Sequence, residues 1–258
     1  MLKRRLIPRL LAKKSSGSED NNFEVFTSQR YSNLKLVGNL RSQLSIFESN
    51  KVDELLVINV DKSSHSIEKE FVDSLGESIE ALSTPIMVGG GINSINDVTQ
   101  LIDVGVDKVL CGISSLNHGL HEEIANLFGS QSLSISIDYS IEDNRVTVGY
   151  RQQMIYTINS FKSLVLDIQN SGAGEIILNR IDSDGMRSGL DLGTLRTVLN
   201  VATVPVIVSS GAGRPEHFIA AFESGADGIS VGTYFAKMDQ SPLQLRSRLI
   251  NAGVNLRA

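Results

Sequence analysis

Three aspartates stand at or just beyond strand-like runs, where an acid could accept or donate a proton. Asp138 closes the run "SISID", and Asp182 and Asp184 stand in "RIDSDG". An acid at the carboxyl end of a barrel strand points into the mouth where chemistry takes place, and it can act as general acid or base. The alternative is an N-capping role for the next helix or turn. We favour chemistry for Asp138 and the structural role for Asp182.

Three glycine-containing turns follow other strand-like runs and could hold a phosphate group. They read "VGGGIN" (88–93), "SSGAGRPEHF" (209–218) and "ISVGTYF" (229–235). Glycine lets the backbone approach a ligand closely, and free N–H groups at helix starts favour anions. Tight turns without a ligand are the alternative. We predict that four residues of these turns bind phosphate: Gly91, Gly211, Gly232 and Thr233.

Charged residues also stand at the opposite, amino-terminal ends of the strand-like runs. The four are Arg5, Glu54, Lys108 and Glu175. Two acids and two bases near one barrel mouth would pair, because isolated charges that face a core are costly. A salt-bridged plug without further function is the alternative to a functional gate.

Composition excludes several classes of function. The chain has 258 residues and a net charge of −5, which argues against a nucleic-acid partner. No apolar run approaches the roughly 18 residues of a membrane-spanning helix, so we expect no membrane association. The single cysteine, Cys111, fits a core position in a cytoplasmic protein. We expect no metal and no cofactor, because no ligand spacing links the four histidines: His65, His118, His121 and His217.

Strand and helix patterns alternate along the whole chain. Strands are predicted at 5–11, 54–60, 85–90, 108–112, 133–138, 175–181, 205–210 and 228–232. Helices are predicted near 40–50, 66–82, 94–104, 119–128, 157–171, 191–202, 215–224 and 242–252. Eight such pairs in about 250 residues indicate one (β/α)8 TIM barrel domain over 1–258, with a doubly wound open sheet as the alternative.

An internal repeat favours the barrel. A shift of 120 residues places Pro85, Val88, Gly91, Gly105, Asp107 and Gly112 on Pro205, Val208, Gly211, Gly225, Asp227 and Gly232. Most of these are glycines or prolines at equivalent structural points, so we predict a four-plus-four barrel. Two segments interrupt the regularity. We interpret 13–35 as a polar loop, and 139–156 as a loop with a hairpin at 144–150.

Taken together, the chain resembles the cyclase subunit of imidazole glycerol phosphate synthase almost from end to end. The motifs are "RLIP" (5–8), "VDELLVINV" (52–60), "TPIMVGGGI" (84–92), "VDKV" (106–109), "FGSQ" (128–131), "SISID" (134–138), "GAGEIIL" (172–178), "IDSDGMRSGLD" (181–191), "SSGAGRPEHFIAAFESGAD" (209–227) and the ending "GVNLR". The resemblance implies a barrel that docks a glutaminase subunit on its N-terminal face, as a heterodimer. Ammonia released there passes through the barrel and reacts with a phosphorylated ribonucleotide.

The resemblance also assigns roles to individual residues. The four charged residues at the strand starts match the family's ammonia gate, and Asp107 matches an acid at the glutaminase contact. Asp138 matches the second of the family's two catalytic aspartates. The family has two phosphate sites. The second is matched here by four residues: Asp184, Gly185, Gly211 and Thr233.

The other matched positions depart from the family. Leu11 replaces the first catalytic aspartate, Asn59 replaces an acid, and Gly112-Ile113 replaces an Asn-Thr phosphate pair. We therefore expect an ammonia-conducting synthase subunit with another acceptor, in surface-polysaccharide sugar modification with a third, sugar-modifying amidotransferase. The alternatives are the histidine-pathway cyclase, and a non-catalytic scaffold that activates the glutaminase.

Overall fold

The computed structural model describes residues 3–15, 22–61, 66–143, 145–149, 154–237 and 241–257. The strands are β1 Arg5–Lys14, β2 Phe23–Gln29, β3 Ser32–Asn39, β4 Leu55–Asn59, β5 Ile86–Gly89, β6 Lys108–Gly112, β7 Leu133–Glu142, β8 Arg145–Val148, β9 Met154–Tyr156, β10 Glu175–Arg180, β11 Val206–Ser209 and β12 Gly228–Val231. The α-helices are α1 Leu40–Ser49, α2 Lys69–Ile79, α3 Ile95–Asp103, α4 Leu120–Phe128, α5 Ile158–Asn170, α6 Leu192–Leu199, α7 Pro215–Glu223, α8 Thr233–Lys237 and α9 Pro242–Asn251.

Eight parallel strands close into a barrel within the described ranges. Their order is β10-β11-β12-β1-β4-β5-β6-β7, and β7 pairs in parallel with β10 to complete the ring. An open sheet would leave two edge strands unpaired, so this closure confirms the (β/α)8 prediction over the doubly wound alternative. The four-plus-four repeat stays a prediction.

Successive side chains of each barrel strand face opposite sides of the sheet. On β1, Leu6 and Leu10 belong to the large outer cluster that packs under the helices. Ile7, between them, belongs to a separate cluster inside the barrel. The same alternation turns Arg5 and Arg9 inward. This two-residue period therefore lets the barrel strands carry an apolar coat outside and a different set of residues along the axis.

The helix predictions are confirmed to within a few residues, and local caps explain several helix starts. Ser94 and Thr157 form capping boxes at the starts of α3 and α5. Ser241 does the same for α9. One further short helix, α8, lies at Thr233–Lys237, where only a turn is predicted. No helix in the described part of the chain has the length and apolar character needed to cross a membrane.

The interpretation of 13–35 as a polar loop is wrong. β1 continues to Lys14, and β2 and β3 form an antiparallel hairpin beside it. The signal was the alternation in "FEVF", whose Phe23 and Val25 are buried. In the other interruption, β7 and β8 pair in an antiparallel hairpin, which confirms the hairpin within the described residues. Both hairpins extend from the carboxyl ends of barrel strands.

Candidate functional site

We call the amino-terminal end of the barrel strands the lower end and the carboxyl-terminal end the upper end. The lower end holds a closed arrangement of four charges, which we call the lower charge layer: Arg5, Glu54, Lys108 and Glu175. Arg5 lies 2.6 Å from a Glu54 oxygen and 2.8 Å from a Glu175 oxygen. Lys108 Nζ lies 2.9 Å from Glu54 Oε1 and 3.2 Å from Glu175 Oε1. Each cation therefore contacts both acids. The sequence prediction that these residues meet at one mouth is confirmed.

The two carboxylates of the lower charge layer are buried, so they depend on the two cations for stabilisation of their charge. Glu54 is 2% exposed and Glu175 is 4% exposed, so neither carboxylate has much access to water. Burial alone would raise the pKa of Glu175, but Arg5 and Lys108 outweigh it and hold that pKa below its usual value. Ser134 adds a 2.6 Å hydrogen bond to Glu175 Oε1. Glu175 is therefore ionised at neutral pH.

An apolar layer lies above the charges, on the next inward-facing position of six strands. Its members are Ile7, Leu56, Met87, Leu110, Ile177 and Ile207. Ile7 and Ile177 follow Arg5 and Glu175 by two residues, which is the strand period. The lower charge layer is thus separated from the upper mouth by a level that is apolar on six of the eight strands; on the other two, Ser136 and Ser230 pair in register with Ile177 and Ile7.

A second charged group, which the sequence analysis missed, lies above the apolar layer. Arg9 is 6% exposed and forms a buried ion pair with Asp184. Its Nη1 also donates to Asn179 Oδ1 at 2.9 Å and to Ser209 Oγ at 3.3 Å. Burial opposes the charge of Arg9, but Asp184 outweighs it and the pKa of Arg9 is raised above its ordinary value.

Asp138 lies in the same upper network. One oxygen, Oδ1, accepts hydrogen bonds from Tyr31 Oη at 2.8 Å, Asn179 Nδ2 at 2.8 Å and Ser136 Oγ at 2.9 Å. Tyr31 reaches Asp138 from the corner between β2 and β3 and has a left-handed backbone, with φ of 59°. Its pKa is raised well above 10 by burial and by the Asp138 charge, so the hydroxyl stays protonated and donates.

The turns after β10, β11 and β12 surround a small pocket that opens at the upper end. Its lining includes five predicted binding residues: Asp184, Gly185, Gly211, Gly232 and Thr233. Gly211 has φ of 97°, and a Cβ on it would overlap the carbonyl oxygen of Gly189, so only glycine fits there. The sequence prediction brings these five residues together correctly.

The turn after β11 also contains a strained residue. Ser210 has φ of 73°, a left-handed conformation that is uncommon outside glycine, asparagine and aspartate. Its Oγ donates to Asn179 Oδ1 at 2.6 Å and lies 3.4 Å from Asp184 Oδ1. These bonds hold the hydroxyl over the buried network. Strain of this kind concentrates where a site must be preorganised.

Most of the chain matches a known protein family. Residues 23–240 match the family model described as histidine biosynthesis protein. The chain belongs to the histidine biosynthesis protein family. The resemblance seen in the sequence motifs is thereby confirmed at the level of the family.

Individual relatives in this family are similar over their full length. A Prochlorococcus marinus protein is 36% identical over 100% of this chain and 99% of its own, and is named imidazole glycerol phosphate synthase subunit hisF2, a name marked as provisional. Imidazole glycerol phosphate synthase subunit HisF of a Thermotoga species is 32% identical over 100% of this chain and 98% of its own. The same subunit of Metallosphaera sedula is 31% identical over 91% and 94%.

The remaining predicted residues of this histidine biosynthesis family member lie apart from the pocket. Gly91 follows β5 and borders Ile67, and it is not among the described residues that line the pocket. Leu11 pairs with Phe26 of the hairpin and with Ile58 of β4. No proton-transferring group therefore stands at the Leu11 position itself.

Three other residues have contacts or burial that the structure defines. Asp107 accepts a hydrogen bond from the Ile86 backbone at 2.8 Å at the lower end of the barrel, which ties β5 to β6. Asp182 forms an ion pair with Arg180 at 2.8 Å, and the N-cap of the following helix α6 is Asp191, so the predicted N-capping by Asp182 of that helix is wrong. Cys111 is buried, which raises its pKa to about 12 and confirms a core position. His65 and the side chain of His118 lie outside the described residues.

Proposed function

We propose that this chain is the ammonia-using synthase subunit of a glutamine-dependent enzyme of the imidazole glycerol phosphate synthase type. A partner glutaminase docks on the N-terminal face, around the lower charge layer and Asp107. The observation that carries the proposal is the closed pairing of Arg5, Glu54, Lys108 and Glu175 at that mouth. A plug of paired charges excludes water and ions, yet it opens when one side chain moves.

The identity of the nitrogen acceptor depends on the residues at the upper end of the barrel. The names of the relatives support the cyclase of histidine biosynthesis better than a surface-polysaccharide role, so cyclisation of a phosphorylated ribonucleotide is the first candidate. Asp138 supplies a proton acceptor, and the pocket lined by Gly211, Gly232 and Thr233 supplies a place for one phosphate. The ligand class is a phosphorylated small molecule.

A different acceptor is the second candidate, and one observation favours it. Leu11 stands where the resembled cyclases carry their first catalytic aspartate, and it has no proton to transfer. General acid–base catalysis contributes about 10²–10⁴-fold, so loss of one member of the pair handicaps cyclisation severely. The surface-polysaccharide acceptor and a third amidotransferase partner belong to this candidate.

Direct supply of ammonia separates the two candidates. The purified chain is mixed with ammonium salt at pH 8.5 and the histidine-pathway ribonucleotide, and the ring-closed product is measured. Turnover of about 1–10³ s⁻¹, the usual range of enzymes, establishes the cyclase. Turnover reduced by 10²-fold or more, and raised by Leu11→Asp, supports the different acceptor. The ammonia supply bypasses any defect in the glutaminase.

Docking of the glutaminase is tested separately. We expect the chain and its cognate glutaminase to form a heterodimer by light scattering, and glutamine hydrolysis to rise in the complex. Glutamate production with no nitrogen transferred to any acceptor supports the scaffold hypothesis. Absence of both the complex and the stimulation contradicts the proposed function.

A further inference from the structure

Hydrogen bonds of the upper network cross the interior of the barrel. β1 and β7 stand four positions apart in either direction around the ring of eight strands, so they face each other across the axis. Arg9 of β1 donates from Nη1 to Asn179 Oδ1 at 2.9 Å, and Asn179 Nδ2 donates to Asp138 Oδ1 of β7 at 2.8 Å. These three side chains, which we call the axial bridge, therefore join opposite walls of the barrel.

The axial bridge lies directly above the apolar layer. Arg9 and Asn179 follow Ile7 and Ile177 by two residues, which is the strand period, so they occupy the next inward-facing level. Arg9 is 6% exposed and Asn179 is 4% exposed, although this level is near the end where the barrel opens. Ile7 and Ile177 beneath them are shielded almost completely. The bridge therefore obstructs the axis at its upper end.

Tyr31 joins the axial bridge from outside the barrel strands. Its Oη donates to Asp138 Oδ1 at 2.8 Å and accepts a hydrogen bond from Asn179 Nδ2. Two of the three bridge members are thus tied to a residue of the hairpin between β1 and α1. A displacement of Tyr31 removes a hydrogen bond from each of these two members.

The corner of that hairpin, residues 28–31, is fastened to the turn after β10. Ser28 Oγ donates to Asp184 Oδ2, and the Arg30 backbone N–H donates to the Asp184 carbonyl oxygen at 3.0 Å. A Cβ on Gly185 would overlap the Ser28 carbonyl oxygen, so only glycine lets the corner pack this closely. The position of Tyr31 is therefore coupled to a turn that lines the upper pocket.

We propose that the axial bridge, held by Tyr31, is a second gate: it closes the upper end of the axis while the lower charge layer closes the lower end. Its role as a gate for nitrogen rests on the proposed function. Asp138, the proposed proton acceptor, belongs to this gate, so nitrogen that leaves the axis passes it. The moving part is the hairpin corner, because that corner carries Tyr31.

Ser230 provides a position for a reporter between the two gates. It pairs in register with Ile7, it is fully buried, and its Oγ has no hydrogen-bond partner among the described residues. Ser230→Cys therefore places a thiol inside the barrel without breaking a described hydrogen bond. Cys111, the native cysteine, is buried in the outer cluster and reports opening of the whole fold in the same molecule.

The test measures how fast the reporter thiol reacts with methyl methanethiosulfonate, a small neutral reagent, by mass spectrometry at pH 8. The Ser230→Cys chain is the reference protein, and Tyr31→Ala or Asn179→Ala is added to it. We expect either change to raise the rate about tenfold or more, as for the loss of one hydrogen bond to a charged group. Asn251→Ala, at the exposed end of α9, is the matched control and should leave the rate unchanged.

Three results would overturn the proposal. The first is rapid modification of the reporter in the reference protein, and the second is an unchanged rate in both bridge variants. The third is an equal rise at Cys111, which would mean that the network holds the fold together and does not close the axis. The rate depends neither on the glutaminase nor on the acceptor, so failure of the gate is distinguishable from failure of the proposed function.

Discussion

The two ends of the barrel axis are built on different principles. At the lower end, Arg5 and Lys108 each contact both acids, so every charge faces charges of the opposite sign, although Glu54 Oε1 has only the ion pair with Lys108 and no hydrogen bond in the described residues. At the upper end, Arg9 keeps an N–H that no described group accepts, and Ser210 holds a left-handed backbone. A set of charges that is complete needs no ligand to be stable, whereas an incomplete set does. This difference supports the proposed function, in which the lower end is a gate and the upper end is a receptor.

The largest effect should come from breaking the upper ion pair. Arg9→Met leaves the Asp184 carboxylate buried without its cation, and we expect the free energy of unfolding to fall by about 3–5 kcal/mol. Urea unfolding measures the loss. The double variant with Asp184→Asn should recover most of it, because no buried charge then remains. Equal losses in the single and double variants would show that the pair is not the source of stability.

A smaller effect is expected at the lower end, because Glu175→Gln leaves Glu54 to pair with both cations. We expect a loss of about 2 kcal/mol at pH 7, from the charged hydrogen bonds removed. The pKa of Glu175 is lowered in the fold, so its contribution is full above the ordinary carboxyl pKa.

That contribution disappears as the pH falls through the lowered pKa, because the unfolded chain takes up the proton first. The stability of Glu175→Gln should therefore fall less steeply in acid than that of the unmodified chain. Glu80→Gln, at an exposed position on the surface, is the control and should follow the unmodified chain. Parallel pH profiles for all three proteins would contradict the pairing.

The smallest effect concerns the strain at Ser210. Ser210→Ala loses the 2.6 Å bond to Asn179 but keeps the left-handed backbone, so we expect a loss of about 1 kcal/mol. Ser210→Gly loses the same bond but relieves a conformation that costs about 1 kcal/mol. Glycine should therefore be about 1 kcal/mol more stable than alanine in urea unfolding. Equal stability would mean that the turn is not strained.

The sequence was sufficient for the barrel and for the lower charge layer, because both follow from periodicity. Arg9 was missed although the signal was present: in "RLIPRLL" it shares the inward face with Arg5, Ile7 and Leu11. The partners of Asp138 could not be found in this way. Tyr31 reaches Asp138 from a hairpin 107 residues earlier in the chain, and only the three-dimensional path of that hairpin joins them.

The apolar layer between the two ends has an electrical consequence. Protons move through proteins along chains of hydrogen-bonded groups. Six of the eight barrel strands contribute aliphatic or thioether side chains at this level, which offer no such chain, and the other two contribute Ser136 and Ser230. The layer is therefore a barrier to charged species, and its two serine hydroxyls are its polar points. An ion crossing it would meet a solvation barrier of tens of kcal/mol in a dry medium, whereas a small neutral molecule would meet far less. In the proposed function, nitrogen therefore travels along this axis as neutral ammonia, and the fourth proton of ammonium stays behind at the lower end.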